Sequence, residues 1–365
     1  MQDVNAHIRD RLRVKSRFLG VPTEGSFELT PRCTMNCKMC YIVLSEQEQR
    51  AIAPELTAAQ WISLGEKAAK AGMLYTLFTG GEPFLRKDFK EIYQAFYKLG
   101  LLITINTNAT LITPEVIAWL KEQPPYKLNI SLYGGSNATY ERLCAYPNGY
   151  DRVTKAIDLL LEAGIAIKIA LTVTPENQGD IAAVRAFADA RGLPMQCATY
   201  MFPSYRKEQP EGLERIASEQ LEFTIIENDT YLNLPEQRFK QLKDMREYIL
   251  EQAAKGEKIP TRMDRIRCGA GRSSFWITWQ GLMYPCGMMK QGESEPLKIG
   301  FDAAWQAVRE ASAALEYPKK CRECEYGFMC NACIAQIKAE GEDYEYLCKT
   351  TKNTYDTLLK GELTE

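Results

Sequence analysis

A chain of 365 residues has room for two domains, or three, each with its own buried core. Forty-five Lys and Arg against 47 Asp and Glu leave a net charge of −2, so no global basic field draws the chain to nucleic acid or anionic lipid. With 45% hydrophobic, 25% charged and 10% aromatic residues, the composition is that of a globular protein and not of a disordered or fibrous one.

The N-terminal extension, 1–25, carries charges throughout and lacks an apolar h-region. No later apolar run is long enough to span a bilayer, so a cytoplasmic chain without signal or membrane segment is expected. Between 26 and 203, apolar runs at 26–30, 73–80, 101–108, 127–134, 166–173 and 195–202 read as strands buried on both faces. Helical spacing fills 57–72, 86–99, 114–122, 150–163 and 178–191, and Thr113-Pro114 reads as an N-cap followed by first-turn proline. Repeated strand-then-helix units call for an α/β fold with a parallel sheet, either open and doubly wound or a partial TIM-like barrel. The highly charged stretch 204–261 reads as a helical bridge. A different unit follows at 262–350, with a hairpin around Gln280-Gly281 and one helix over IGFDAAWQAVREASAAL, and 351–365 is a tail.

Twelve cysteines without an export signal imply a reducing compartment, where clustered thiols hold metal or do redox chemistry. The only histidine is His7, which excludes a Ser-His-Asp triad over the rest of the chain and every site needing several histidines. Cys33, Cys37 and Cys40 form a C-x3-C-x2-C triplet directly after the first strand. Three such thiolates can hold three irons of a [4Fe-4S] cluster and leave the fourth open, whereas zinc would want a fourth ligand nearby and none exists. Seven more cysteines fall between Cys268 and Cys348. Cys144 and Cys197 lie between the groups and read as half-buried hydrophobic residues. Trp276 and Trp279 in the hairpin read as core and as shielding for metal sites.

The triplet, its place after the first strand, and Thr79-Gly80-Gly81-Glu82-Pro83 ending the second strand resemble the radical SAM enzymes. That resemblance implies a partial (β/α)6 barrel over 26–203. It implies that the backbone at Gly80 and Gly81 and the Glu82 carboxylate receive the methionine ammonium of S-adenosylmethionine (SAM), glycine allowing the close approach. It further implies that Asn106, Asn108 and Ser131, at C-terminal strand ends, bond the ribose and methionine of SAM, and that Arg142 grips its carboxylate. Thr172 and the backbone at Tyr41 are further candidates.

Cys268-x12-Gly281-x4-Cys286, then Cys321-x2-Cys324-x5-Cys330-x2-Cys333, then Cys348, resembles the SPASM domain of such enzymes, a small α+β unit with two auxiliary [4Fe-4S] clusters. The gap from Cys330 to Cys333 is one residue shorter than the family's usual spacing. The resemblance implies that Cys268, Cys286 and Cys333 hold auxiliary cluster I and that Cys321, Cys324, Cys330 and Cys348 hold auxiliary cluster II. Auxiliary cluster I is then one ligand short, either open to a substrate thiol, with Gly287 expected to leave space beside Cys286, or closed by water, a backbone group or a non-Cys side chain so that it only relays electrons. A double-zinc module is the alternative, and seven cysteines fall short of its eight ligands.

The chemistry so implied is reduction of the first cluster, one-electron cleavage of SAM, and hydrogen abstraction by the 5′-deoxyadenosyl radical. SPASM enzymes commonly modify peptides and proteins, so an oxidoreductase maturing ribosomal peptides by thioether or carbon-carbon crosslinks is the first reading. An Asp expected after Cys286 in a sulfatase maturase is replaced by Gly287, which demotes that activity. Dehydrogenation or epimerisation of a small molecule or sugar is the alternative, and an iron-sulfur electron carrier or zinc-binding protein is the non-enzymatic one. Expected partners are a peptide or protein substrate, an external reductant such as flavodoxin or ferredoxin, and a separate leader-peptide-binding protein. The last follows because about 25 residues before the first strand are too few for a winged-helix leader-binding domain.

Overall fold

The computed structural model describes residues 2–202, 215–217, 235–259, 266, 268–289, 291–341 and 344–360. Six parallel strands follow one another across one sheet: β1 (Glu24–Glu28), β2 (Tyr75–Thr79), β3 (Leu102–Thr107), β4 (Lys127–Ser131), β5 (Ile167–Thr172) and β6 (Met195–Ala198). Each falls within a residue or two of the start of an expected run, while β6 ends four residues before its run does. Two strands from the C-terminal part, β7 (Ser274–Ile277) and β8 (Met283–Tyr284), extend the same sheet, giving the order β6-β5-β4-β3-β2-β1-β7-β8. The expected hairpin is therefore real, and its first strand pairs in parallel with β1.

The helices before β6 are α1 (Gln2–Leu19), α2 (Glu46–Ile52), α3 (Ala58–Lys70), α4 (Phe89–Lys98), α5 (Pro114–Glu122), α6 (Asn137–Cys144), α7 (Gly149–Glu162) and α8 (Ile181–Asp189). Capping boxes at Ser45 and Thr57 start α2 and α3, and the Thr113 hydroxyl accepts the Val116 N–H in front of Pro114. The sequence pattern leaves α1, α2 and α6 unannounced: α1 interleaves basic residues with its apolar ones, and the other two have only seven and eight residues. Later helices span Pro235–Lys255, Phe301–Ala313, Ile334–Glu340 and Glu345–Lys360. Just over half of the expected bridge, 204–214, 218–234 and 260–261, lies outside the described residues.

The strands are buried on one face, not both. Phe27, Phe78, Ile103, Ile105, Leu128, Ile130, Ile167 and Ile169 pack against Trp61, Leu64, Ile92 and Phe96 of the helices. Phe27 meets Phe96 edge-on at 5.1 Å and Trp61 at 6.0 Å. The alternate residues Ser26, Leu77, Thr104, Asn106, Asn129, Ser131, Lys168 and Thr172 are half-buried. These mostly polar side chains line the other, concave face, and their polarity is why the expected two-sided burial does not occur.

Phe275, Ile277, Phe301 and Trp305 belong to the barrel's core, whereas Ile266, Met289, Tyr317, Cys321, Ile334, Ile337 and Leu347 form a second one. The two cores interleave along the chain, Ile266 and Met289 lying in the second while Met283 and Val308 lie in the first. Among the described residues no helix is long and apolar enough to cross a membrane.

Candidate active site

The chain leaves β1 into a loop that is fastened before it reaches its first cysteine. The Arg86 guanidinium, 4% exposed, donates to the Leu29 and Leu56 carbonyls at 2.9 Å each and pairs with Asp88 at 2.7 Å. Glu55 accepts from the Thr30 hydroxyl at 2.5 Å and from Arg32 at 2.8 Å. Sequence reasoning missed both residues, since a lone charge in a polar stretch carries no signal of such a role.

Further along, the Asn36 and Lys38 N–H groups donate to the carbonyls of Cys144 (3.0 Å) and Leu143 (2.9 Å) in the last turn of α6, whose carbonyls lack partners within the helix. The loop around Cys37 is thereby docked on a helix end. Cys144 is fully buried there, and its thiol contact followed by burial raises the Cys37 thiol well above its ordinary value. Cys197 is also buried.

The end of β2 lies against this loop. Gly81 and Glu82 donate their N–H groups to the Thr30 (2.7 Å) and Arg32 (2.9 Å) carbonyls. A Cβ on Gly80 would lie 2.4 Å from the Thr30 oxygen and one on Gly81 2.1 Å from the Arg32 oxygen. The glycines accordingly serve the approach of the cysteine loop itself. The Gly80 φ of +144° adds a second reason for glycine there.

Glu82 is fully buried. Its carboxylate accepts from the Phe84 N–H (3.1 Å), the Thr107 hydroxyl (2.9 and 3.0 Å) and the Asn108 N–H (2.8 Å). Burial nevertheless pushes its pKa up to about 7. The Asn108 amide donates to the Cys33 sulfur at 3.3 Å and to the Thr34 hydroxyl at 3.1 Å. The structure thus joins Cys33, Asn108 and Glu82 across the C-terminal ends of three strands, where parallel α/β barrels carry their sites.

The other candidates are placed differently. Asn106 accepts a hydrogen bond from Asn129 at 2.8 Å. Ser131 bonds through its side chain to Tyr133, a residue the sequence reading passed over, whose hydroxyl is raised well above its ordinary value by burial and then by the nearby Cys37. Thr172 ends β5 half-buried, its carbonyl accepting from Asn177 at 3.0 Å, and Tyr41 is half-buried directly after Cys40. Arg142 is exposed on the last turn of α6 and donates to the Thr139 hydroxyl (3.5 Å) and the Glu176 carbonyl (3.3 Å), beside the 2.6 Å Lys38–Glu176 ion pair.

The thiols suit an iron-sulfur centre chemically. The Met35 N–H donates to the Cys33 sulfur at 3.4 Å, and burial first, then Glu82 and the neighbouring thiols, push the Cys33 pKa up to about 12. A group so costly to ionise alone becomes a thiolate once coordinated to a cationic metal centre.

In the C-terminal part Cys286 lies within electrostatic reach of Cys268 and Cys333, and Cys321 within reach of Cys324, Cys330 and Cys348. The Met288 and Gln336 N–H groups donate to the sulfurs of Cys286 and Cys333 at 3.4 Å each, and the Thr351 hydroxyl to Cys330 at 3.4 Å. Burial pushes Cys286 up to about 11 and raises Cys333, Cys321 and Cys348. Among the described residues no three metal-ligating side chains converge as the ligands of a single ion would. A cluster spreads its thiolates over separate irons. The space expected beside Gly287 is filled, since a Cβ there would lie 2.7 Å from the ring of Trp276, whose Nε1 donates to Glu28 at 3.1 Å.

The Radical SAM superfamily profile matches residues 27–188. An AdoMet-dependent heme synthase of Oleidesulfovibrio alaskensis is 24% identical over 85% of this chain and 82% of its own. A PqqA peptide cyclase of Bradyrhizobium diazoefficiens is 22% identical over 87% of this chain and 82% of its own. Among solved structures, Streptococcus suis SuiB bound to precursor peptide SuiA shares the fold with a TM-score of 0.65 at 19% identity, covering 93% of this chain and 77% of that one.

Proposed function

We propose that this chain, whose residues 27–188 match the Radical SAM superfamily profile, is a radical SAM enzyme and an oxidoreductase of ribosomal peptide maturation, forming a thioether or carbon-carbon crosslink in a peptide or protein substrate. The observation that carries the chemistry is the buried network of Cys33, Asn108 and Glu82 at the strand ends.

In this reading Cys33, Cys37 and Cys40 hold a [4Fe-4S] cluster. SAM lies against Gly80, Gly81, Glu82, Asn106, Asn108, Ser131, Thr172, the Tyr41 backbone and Arg142. Once bound and reduced by an external donor, these cofactors supply the hydrogen-abstracting 5′-deoxyadenosyl radical. The protein's part is to hold and orient. Glu82, already fixed by Thr107 and Asn108, presents a carboxylate to the SAM ammonium. Asn108 steadies the Cys33 sulfur from the same strand end. The buried aromatic and aliphatic residues behind the sheet keep water from that side. The seven C-terminal thiols form a SPASM domain with two auxiliary clusters, Cys268, Cys286 and Cys333 at one and Cys321, Cys324, Cys330 and Cys348 at the other.

The likeness to PqqA peptide cyclase supports a peptide substrate. So does the concave face, where Asn106, Asn129, Lys168 and Gln196 offer hydrogen bonds and not the apolar walls that bury a flat macrocycle. The likeness to heme synthases supports the second reading, oxidation of a small molecule. The test is mass spectrometry of anaerobically reconstituted protein given SAM, dithionite and candidate peptides encoded beside its gene. The expected result is loss of two hydrogens from a peptide with release of 5′-deoxyadenosine. SAM cleavage that alters a small molecule and no peptide would overturn the peptide reading.

A further inference from the structure

On the concave face, Asn106 on β3 is in register with Asn129 on β4, and Asn129 with Lys168 on β5. Gln196 on β6 is one step further along, beside Ala170. The Asn129 Nδ2 donates to the Asn106 Oδ1 at 2.8 Å and the Lys168 Nζ to the Gln196 Oε1 at 2.6 Å. The other end of the Asn129 amide, Oδ1, is buried and receives no hydrogen bond within the protein. A buried acceptor left bare is destabilising, so a strip that keeps one is shaped for a donor that arrives with a ligand. The strip lies two residues below Asn108 and Ser131, about 7 Å along the strands.

We infer that this strip receives a peptide group of the substrate, its N–H donating to the Asn129 Oδ1 and its carbonyl accepting from the Lys168 ammonium. The inference rests on the peptide reading above and deepens it. A carboxylate has no hydrogen to give Asn129, whereas a peptide group carries one donor and one acceptor, as the strip requires. Held there, a peptide carries its next residue toward the strand ends where the SAM candidates sit. Burial and the charge of Lys127 lower the Lys168 pKa, in keeping with a lysine turned into a partly enclosed face.

The test uses the reconstituted, SAM-loaded enzyme and the probe N-acetyl-Ala-Ala-N-methylamide, with analogues in which each amide N–H in turn is replaced by an ester oxygen. Affinities are read by saturation-transfer NMR. One ester is expected to bind about tenfold more weakly than the parent, because a site built for an N–H rejects the analogue without it. Asn129→Leu should close that gap, Asn129→Asp, which keeps an acceptor, should preserve it, and Lys168→Met should weaken all probes alike. The proposal is overturned if the parent does not bind at millimolar concentration, if all esters match the parent, if the gap survives Asn129→Leu, or if Asn129→Leu loses SAM affinity in step with peptide affinity. Failure of the SAM assignment has a separate signature, an unchanged SAM affinity in Glu82→Gln.

Discussion

Glu82 shows how one buried carboxyl ties pH to both stability and ligand. Its folded pKa of about 7 lies above the ordinary 4.5, so the folded SAM-free protein holds a proton that the unfolded chain releases earlier. The stability from this proton is complete below about 4.5 and is lost as pH rises through about 7, on the order of 3 kcal/mol at about 1.4 per unit. A SAM ammonium reverses the preference, because it pairs with the carboxylate, and below the folded pKa its binding must expel the proton. SAM affinity should therefore climb about tenfold per unit up to about pH 7 and then level off. In Glu82→Gln it should be flat with pH and lower by about 1.5–3 kcal/mol, a charge-assisted desolvated contact having been lost. Equilibrium titration of SAM across this range decides the matter, and a pH-independent wild type removes Glu82 from the ammonium. An Arg142 contact would be worth less, about 1 kcal/mol or below, because this guanidinium is exposed on the end of α6.

At the level of elements, the Gly80-Gly81 step sets how closely β2 can lie against the loop that carries the cysteines. Gly81→Ala forces a Cβ into the Arg32 carbonyl, which is 2.1 Å away and held by backbone on both sides. It should destabilise the protein by about 1–3 kcal/mol and abolish SAM cleavage, while Gly179→Ala, with nothing within 4 Å, should leave melting temperature and cleavage near wild type. A Gly81→Ala protein that melts and cleaves SAM like wild type would show that the close contact does not position the cysteine loop. The strands and their helices were legible because apolar periodicity is local, down to Thr113-Pro114 at the start of α5. The cysteine triplet and Glu82 were legible for the same reason. What escaped the sequence depends on register between distant segments. Thr107 meets Glu82 only through pairing of β2 with β3, Asn129 matters only because β4 sets it beside Asn106, and Arg86 finds the Leu29 carbonyl only in the folded sheet. The alternation of Leu128 and Ile130 with Asn129 and Ser131 did mark a one-sided strand, and it was masked by the apolar content of the run as a whole.

The two ends of the molecule differ in what holds them together. The barrel buries aromatic and branched residues from every strand β1 to β5. The second core, among the described residues, is limited to Ile266, Met289, Tyr317, Cys321, Ala332, Ile334, Ala335, Ile337 and Leu347. Tyr346 packs against both cores. Arg215 lies 5.1 Å from the Tyr200 ring and 5.4 Å from the Tyr346 ring and pairs with Glu340 at 2.7 Å, while Tyr200 donates to that same carboxylate. So small a core is of the kind that metal centres hold together, their binding free energy being folding free energy. If ten thiols carry three four-iron clusters, reconstituted protein should hold about 12 irons and a variant with Cys33, Cys37 and Cys40 all changed to Ala about 8. Iron removal should then act unevenly. Backbone amides of 319–348 should lose most of their hydrogen-exchange protection, whereas those of β1 to β5, held by a core that needs no iron, should keep theirs. Hydrogen-exchange mass spectrometry of the holoprotein before and after chelation reads both regions in one experiment. Protection that survives chelation at 319–348, or an iron content of about 4 in the wild type, would mean that the seven C-terminal thiols are structural in some other way.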